Sequence, residues 1–143
     1  MQLVKALVSA REELASWRQH LHQNPEIAYE EKDTSDFVAA KLEDFGVEVH
    51  RGFGGTGLVG VIKGNLSDPA SGKAIGLRAD MDALPMSEET NLAYASQRPG
   101  RMHACGHDGH TTMLLAAARH LAETRDFHGT IYCIFQPAEE GGN

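Results

Sequence analysis

The sequence predicts an α/β fold in which helices pack against a sheet. Segments with apolar residues at helical spacing alternate with short apolar runs typical of strands, in the order helix, helix, hairpin, strand, loop, helix, strand. The last run, GTIYCIFQ at 129–136, is apolar almost throughout, as is typical of a strand inside an α/β sheet. A length of 143 residues suits one domain, and no repeat or low-complexity segment interrupts it.

Two helices are predicted in the first third of the chain. Residues 3–22 carry leucines and a tryptophan near helical spacing. This helix should end by Asn24, because the residue before a proline is driven out of the α region. A second helix is predicted over 33–45, with Asp33 or Thr34 as its N-cap and a glycine directly after it.

The following segments predict strands and one more helix. VEVHR (47–51) and GLVGVIKG (57–64) flank a glycine-rich turn, which indicates a hairpin. Residues 65–73 predict a surface turn, and AIGLRAD (74–80) predicts a buried strand ending in polar residues. The alanine- and leucine-rich stretch 108–126 then predicts a helix with a buried apolar face.

Composition excludes several classes of partner. The formal net charge is −7 and no basic run stands out, which argues against nucleic acid as a main partner. No apolar run is long enough to span a bilayer, and charges interrupt the N-terminal segment too early for a signal peptide. We therefore expect a cytoplasmic protein with no membrane partner. A disulfide between Cys105 and Cys133 is not expected in that reducing compartment.

Three polar segments follow or flank the predicted strands. RADMDALP leaves the strand at 74–78, MHACGHDGH occupies 102–110, and FQPAEEGGN occupies 135–143. In open α/β sheets, ligands gather beyond the carboxyl ends of the strands. We therefore expect the three segments to meet at one edge of the sheet.

Cys105 and His107 form a candidate pair of metal ligands. The glycine between them allows a tight turn that aims both side chains at one point. Thiolate and imidazole both suit zinc and related divalent ions. The alternative is a buried thiol beside a histidine that caps a helix. The neighbouring His103, Asp108 and His110 favour the metal, because carboxylates commonly hold ligand imidazoles in place.

Two pairs of carboxylates complete the candidate site. In Glu139 and Glu140, one side chain could bind metal while the other takes a proton from activated water. The alternative is a solvated acidic turn. Asp80 and Asp82 lie at i and i+2, so both should point to the same side of the chain. One could bind metal or orient a histidine, or both could cap a turn before the next proline.

Taken together, RADMDALP, MHACGHDGH and FQPAEEGG closely resemble the aminoacylase/carboxypeptidase family of metallopeptidases. The N-terminal RQHLHQNPEIAYEE is similar to its branch of hippurate hydrolases, N-acyl-amino-acid amidohydrolases and auxin-conjugate hydrolases. The resemblance implies a partial zinc-exopeptidase-like sheet flanked by helices, lacking the later strands and the inserted dimerisation domain. Residues 1–143 would then be the N-terminal part of the catalytic metallohydrolase domain.

The resemblance also implies a site with two divalent metal ions, zinc or manganese in the first place, with cobalt or nickel as further options. Glu139 is implied to be the general base. Asp80 stands where the wider superfamily has a metal-binding histidine, and Asp82 is implied to serve catalysis by supporting the site without binding metal itself. The implied metal ligands are Cys105, His107 and Glu140.

The implied function is metal-dependent amide hydrolysis of N-acyl amino acids, such as hippurate-like or N-acetyl amino acids. The resemblance places two further histidine ligands downstream, so we expect the 143-residue chain to be a truncated and catalytically incomplete form. We also expect a homo-oligomer, because a sheet without its later strands exposes an edge and exposed edges pair. The alternatives are a metal-binding or interaction module without hydrolase activity, or an enzyme completed by another chain.

Overall fold

The computed structural model describes residues 4–66 and 72–141 and has the predicted α/β class. It contains four helices and four strands in these ranges. In chain order they are α1 (Lys5–Ser9), α2 (Arg11–Gln23), α3 (Lys32–Asp44), β1 (Glu48–Phe53), β2 (Gly57–Lys63), β3 (Ala74–Asp80), α4 (His107–Thr124) and β4 (Thr130–Gln136).

The four strands form one mixed sheet in the order β1-β2-β4-β3. The β1–β2 pair is the predicted antiparallel hairpin, and β4 lies inside the sheet as predicted, antiparallel to β2. The pairing of β3 with β4 is parallel, and its register places Asp80 opposite Gln136. The carboxyl ends of β3 and β4 therefore lie side by side, which brings together the segments that follow them.

The core lies between one face of the sheet and the helices. Alternation along the strands turns Leu58, Ile62 and Phe135 toward the helices, where they are buried together with Leu42 of α3 and Leu115 of α4. Full burial of side chains of this size contributes about 1.5–3 kcal/mol each. The opposite face of the sheet carries partly exposed apolar side chains, among them Tyr132 and Ile134.

The predicted first helix is two helices. The helix is interrupted between α1 and α2 at Ala10, whose ψ of 7° lies outside the helical range. The short α1 contributes no buried residue, so no packing holds it in line with α2. Residue 3 of the predicted range lies outside the described residues. The predicted end is confirmed, since α2 stops at Gln23 with Asn24 as its C-cap.

The helix α3 begins one residue earlier than predicted, and neither Asp33 nor Thr34 is its N-cap. The helix begins at Lys32 with Glu31 in the N-cap position, and Glu31 makes no side-chain capping bond. Instead, the buried carboxylate of Glu26 accepts hydrogen bonds from the backbone N–H groups of Asp33 (3.2 Å) and Thr34 (2.7 Å). A side chain from the preceding segment therefore satisfies the free N–H groups of the first turn.

The prediction that β3 is a buried strand is wrong for most of its length. Only Ala79 and Asp80 at its carboxyl end are buried, whereas residues 74–76 are exposed. The reason is position: β3 is an edge strand, and among the described residues no further strand pairs with its outer side. The predicted surface turn falls largely on residues 67–71, which lie outside the described part of the chain.

The helix α4 starts one residue before its predicted range and ends two residues early. Its C-cap is Arg125 in the left-handed region (φ 47°), a conformation that cannot continue a right-handed helix. Across the ranges 4–66 and 72–141, no helix combines the length and the apolar character that membrane crossing demands.

Candidate metal centre

The three polar segments meet beyond the carboxyl ends of β3 and β4, as their order in the sequence predicts. The backbone N–H of Met81 donates to the carbonyl of Gln136 (3.0 Å), which extends the parallel ladder past the ends of both strands. The first turns of α4 lie against this edge, because the hydroxyl of Thr111 donates to the carbonyl of Asp80 (2.9 Å). The candidate residues are thus held on a rigid frame.

Three side chains from two loops converge on one point. The ligand atoms of Cys105, His107 and Glu140 all lie within 4.8 Å of one another, a spacing that one divalent ion could bridge. The Nδ1 atom of His107 lies 2.9 Å from the carbonyl oxygen of Asp82, which leaves Nε2 to face the carboxylates. Sulfur, nitrogen and oxygen donors in this arrangement fit the chemistry of zinc and related ions.

Local backbone geometry explains why Cys105 and His107 share this site. Gly106 has a φ of +95° and is the N-cap of α4. A side chain at this position would strain the backbone, since L-residues rarely adopt such a φ. The turn lets Cys105 end the loop while His107 opens the helix with its ring buried.

Asp82 links the two loops that carry the candidate ligands. Its side chain is buried, with Oδ1 lying 3.2 Å from His107 Nδ1. Its other oxygen, Oδ2, accepts a hydrogen bond from the backbone N–H of Glu140 (2.8 Å). One carboxylate therefore contacts a candidate ligand on each side.

A second group of donors shares His107 with the first. It consists of Asp80, His107 and His110, whose ligand atoms also lie within 4.8 Å of one another. The carboxylate of Asp80 lies 2.7 Å from His110 Nδ1 and 3.2 Å from Nη1 of Arg78. Burial opposes ionisation, but the hydrogen bond to His110 and the charges of both histidines outweigh it and hold the pKa of Asp80 below its ordinary value.

The two glutamates differ in exposure. The side chain of Glu139 is 41% exposed, with Oε2 lying 3.9 Å from His107 Nε2. The side chain of Glu140 is 24% exposed, with Oε1 lying 3.8 Å from the same nitrogen. Glu139 thus has the freer access to water, and Glu140 belongs to the donor group with Cys105.

The carboxylates make the site electronegative, and the thiol reflects this. The hydrogen bond with Glu140, then burial, then the charges of Glu140, Glu139 and Asp80 raise the pKa of Cys105 above its ordinary value. A cation at this point would reverse the effect, because a metal ion favours the thiolate. The charge of the site therefore suits a divalent ion. Cys105 and Cys133 are both free thiols, in line with the sequence prediction.

A buried polar cluster lies behind the loop that carries the candidate ligands. His22 Nδ1 lies 2.8 Å from Asp108 Oδ2, and His22 Nε2 lies 3.2 Å from Glu88 Oε1. Arg18 also donates to Asp108 (3.2 Å). Asp108 therefore contacts side chains of α2. The prediction that it holds the imidazole of a metal ligand is wrong.

His103 is buried and contacts the same cluster. Its ring lies 6.4 Å from that of His22 between centroids, and neither of its ring nitrogens has a hydrogen-bond partner in the described part of the chain. Burial lowers the pKa of His103 to about 4. Of the three neighbours expected to support a metal, only His110 belongs to a donor group, the one with Asp80 and His107.

Two residues of the site region escaped the sequence patterns. His22 is buried in the polar cluster, and Glu31 is fully buried with its carboxylate facing the turn before Glu139. Both lie in RQHLHQNPEIAYEE, the segment that carries the N-terminal resemblance. The signal that could have identified them in the sequence is a charged or imidazole side chain next to a helix end within that segment.

The mixed sheet carries thiol, imidazole and carboxylate groups beyond its parallel strand ends, a donor set that could hold a divalent metal ion. Comparison with known proteins agrees. The model of Peptidase family M20/M25/M40 matches residues 76–143, which include all three polar segments at the strand ends. The match covers 68 of the 143 residues, so this part of the chain is similar to that family.

Relatives match nearly the whole chain. The hippurate hydrolase of Campylobacter jejuni is 50% identical over 141 residues, which are 99% of this chain and 36% of that protein. The N-acyl-L-amino acid amidohydrolase of Geobacillus stearothermophilus is 41% identical over 96% of this chain and 36% of its own length. Both are hydrolases by name.

A solved structure supports the fold. The YXEP protein of Bacillus subtilis, a dinuclear metal binding peptidase from the M20 family, superposes with a TM-score of 0.85 at 40% identity. The match covers 92% of this chain and 36% of that one. The chain thus spans about a third of the length of the curated relatives it matches.

Proposed function

We propose that this chain forms part of a metal-dependent amidohydrolase that cleaves N-acyl amino acids. Its substrate class is hippurate-like or N-acetyl amino acids. The observation that carries the proposal is the convergence of Cys105, His107 and Glu140 within 4.8 Å. Relatives named hippurate hydrolase and N-acyl-L-amino acid amidohydrolase support the choice of substrate. Residues 1–143 are assigned in this proposal to the catalytic domain, as the N-terminal part that the sequence resemblance implies.

The metal ligands in this proposal are Cys105, His107 and Glu140, and the ions are two divalent cations, with zinc or manganese preferred. A bound cation would polarise the amide carbonyl. It would also lower the pKa of the attacking water, which then loses a proton more readily near neutral pH. Because His107 has only Nε2 free and can serve one ion, Asp80 and His110 of the second donor group are the candidates for a second ion. A thiol ligand favours zinc over harder ions.

The chain's own residues move protons and hold the site. Glu139 is the general base: its exposed carboxylate takes a proton from the attacking water and passes it to the leaving amine nitrogen. Asp82 orients His107 and the backbone of Glu140 through the contacts at its two oxygens. The amide C–N bond breaks, which releases a carboxylic acid and an amino acid.

Removal of one ligand tests the proposal. Cys105→Ala is expected to weaken the binding of zinc or manganese by roughly 10-fold or more, because losing even a group that only supports a ligand costs about 10–100-fold. Metal content after dialysis and competition with a chelator measure the effect. Cys133→Ala is the matched control, since this thiol is buried in β4 away from the site. Equal metal binding by the wild type and Cys105→Ala would refute the proposed ligand.

The expectation that the 143-residue chain is catalytically incomplete stays a prediction, and an assay of this chain on N-benzoyl amino acids checks it. The cytoplasm is the compartment we propose, supported by the early charges in the N-terminal segment and by the two free cysteines.

The proposal includes a homo-oligomer. Ile75 on the edge strand β3 is 56% exposed, and Tyr132 and Ile134 expose apolar surface on the open face of the sheet. Unpaired edges and apolar faces favour association. Sedimentation velocity over a range of concentrations should give a species larger than one chain. A single monomeric species at every concentration would contradict this expectation.

A further inference from the structure

The turn that carries the acidic pair is held by two buried carboxylates. Asp82 accepts the N–H of Glu140 (2.8 Å), and Glu31 accepts the N–H of Ala138 (2.7 Å) through Oε1. Glu139 lies between these two anchored backbone groups. The direction of both glutamate side chains therefore depends on two contacts, of which the one with Glu31 spans 107 positions of the sequence.

We propose that Glu31 is a positioning residue for the acidic pair, fixing where Glu139 and Glu140 point by holding the N–H of Ala138. This inference rests on the proposed function, in which Glu139 is the base and Glu140 a metal ligand. Glu31 has 0% of its surface exposed. Burial of a carboxylate at this level requires a specific hydrogen-bonding task.

The surroundings of Glu31 fix its carboxylate in one place. Its Oε2 accepts a hydrogen bond from the hydroxyl of Thr56 (2.7 Å), the last residue of the β1–β2 turn. Its backbone stands at the N-cap of α3, where its carbonyl accepts the N–H of Ser35 (3.0 Å). The backbone of Glu31 is thus fixed at the start of α3, and its carboxylate is fixed by the contact with the hairpin.

The turn needs such a hold, because its backbone is strained. Ala138 has a φ of 54°, a left-handed conformation that residues with a Cβ seldom adopt. The turn also lies close to the segment before Glu31: a Cβ added at Gly141 would lie 2.6 Å from Cβ of Ala28. Strain of this kind persists only where neighbouring groups fix the conformation, and the bond from Ala138 to Glu31 does so.

Three variants separate geometry from charge. Glu31→Ala removes the acceptor and leaves the Ala138 N–H and the Thr56 hydroxyl unpaired. Glu31→Gln keeps an acceptor for Ala138, while its amide N–H₂ can donate to the hydroxyl oxygen of Thr56. Glu30→Gln is the matched control, because Glu30 is exposed and pairs with Arg101 at the surface.

The first measurement is amide hydrogen exchange at Ala138 in the metal-free protein, which depends on no bound ion. The second is zinc affinity by competition with a chelator, at a temperature where circular dichroism shows each variant folded. Glu31→Ala is expected to exchange faster at Ala138 and to bind zinc about 10–100-fold more weakly. Glu31→Gln is expected to restore most of both, and Glu30→Gln to match the wild type.

The outcomes distinguish this inference from the proposed function. A wild type that binds no zinc refutes the proposed metal site. A wild type that binds zinc, with Glu31→Ala folded and equal to it in zinc affinity, overturns the positioning role while leaving the metal site intact. Loss of zinc affinity in Glu31→Gln as large as in Glu31→Ala also overturns it, because charge would then matter and not the held geometry.

Discussion

Glu139→Gln is expected to lower kcat for hydrolysis of an N-acyl amino acid by a factor of about 10²–10⁴, the usual contribution of a general base. Gln has nearly the same shape, but its amide cannot take a proton from water. The side chain of Glu139 is 41% exposed and lies beside the proposed metal ligands, so the substitution should disturb little packing. Zinc affinity is expected to stay near that of the wild type, because Glu140 and Cys105 are unchanged.

Steady-state kinetics on N-benzoyl and N-acetyl amino acids measure this effect in an enzyme that contains this segment together with the two histidine ligands that the resemblance places downstream. Glu123→Gln, which makes the same change at an exposed position near the end of α4, is the control and should keep full activity. An activity of Glu139→Gln within a few-fold of the wild type would assign the base to another group. A parallel loss of zinc would instead make Glu139 a ligand.

Asp82→Asn is expected to weaken zinc binding by about 10–100-fold and to lower the free energy of unfolding by about 1–3 kcal/mol. The carboxylate accepts from the Glu140 N–H at Oδ2 and lies 3.2 Å from His107 Nδ1 at Oδ1. An Asn side chain has only one oxygen, so its N–H₂ group would face one of these two N–H donors. One contact must therefore break inside a buried site.

Zinc competition and urea unfolding of the metal-free protein measure the two parts of the effect separately. Asp44→Asn, at the exposed end of α3, is the matched control and should change neither quantity by much. If Asp82→Asn loses stability but keeps the zinc affinity of the wild type, Asp82 supports the fold and plays no part in holding the ligands.

The convergence of the polar segments could be predicted because it depends only on the direction of the strands. Once β3 and β4 are parallel neighbours, Asp80 lies opposite Gln136, and whatever follows them must share one edge. The turn at Gly106 was equally accessible, since the Cys-Gly-His spacing itself indicates two donors on one tight turn. This turn is a property of the local sequence.

The contacts that hold the segments could not be predicted in this way. Glu31 meets Ala138 across 107 positions, and His22 meets Asp108 across 86. No local periodicity encodes such pairs, because they depend on how α2 and α3 pack on the rest. The exposure of β3 was missed for a related reason: an apolar run indicates a strand but not how many strands flank it.

The strand order has a consequence for how the chain folds. The strand β4 is the last of the four described strands along the sequence, yet it separates β2 from β3 in the sheet. Until residues 130–136 have left the ribosome, β3 has no parallel neighbour, and Leu58 and Ile62 lack the strand that completes their layer. Native pairing is therefore non-local, which slows folding and prolongs the exposure of apolar surface during synthesis. The acidic turn follows β4 directly, so the proposed metal site is assembled only after β4 has inserted into the sheet.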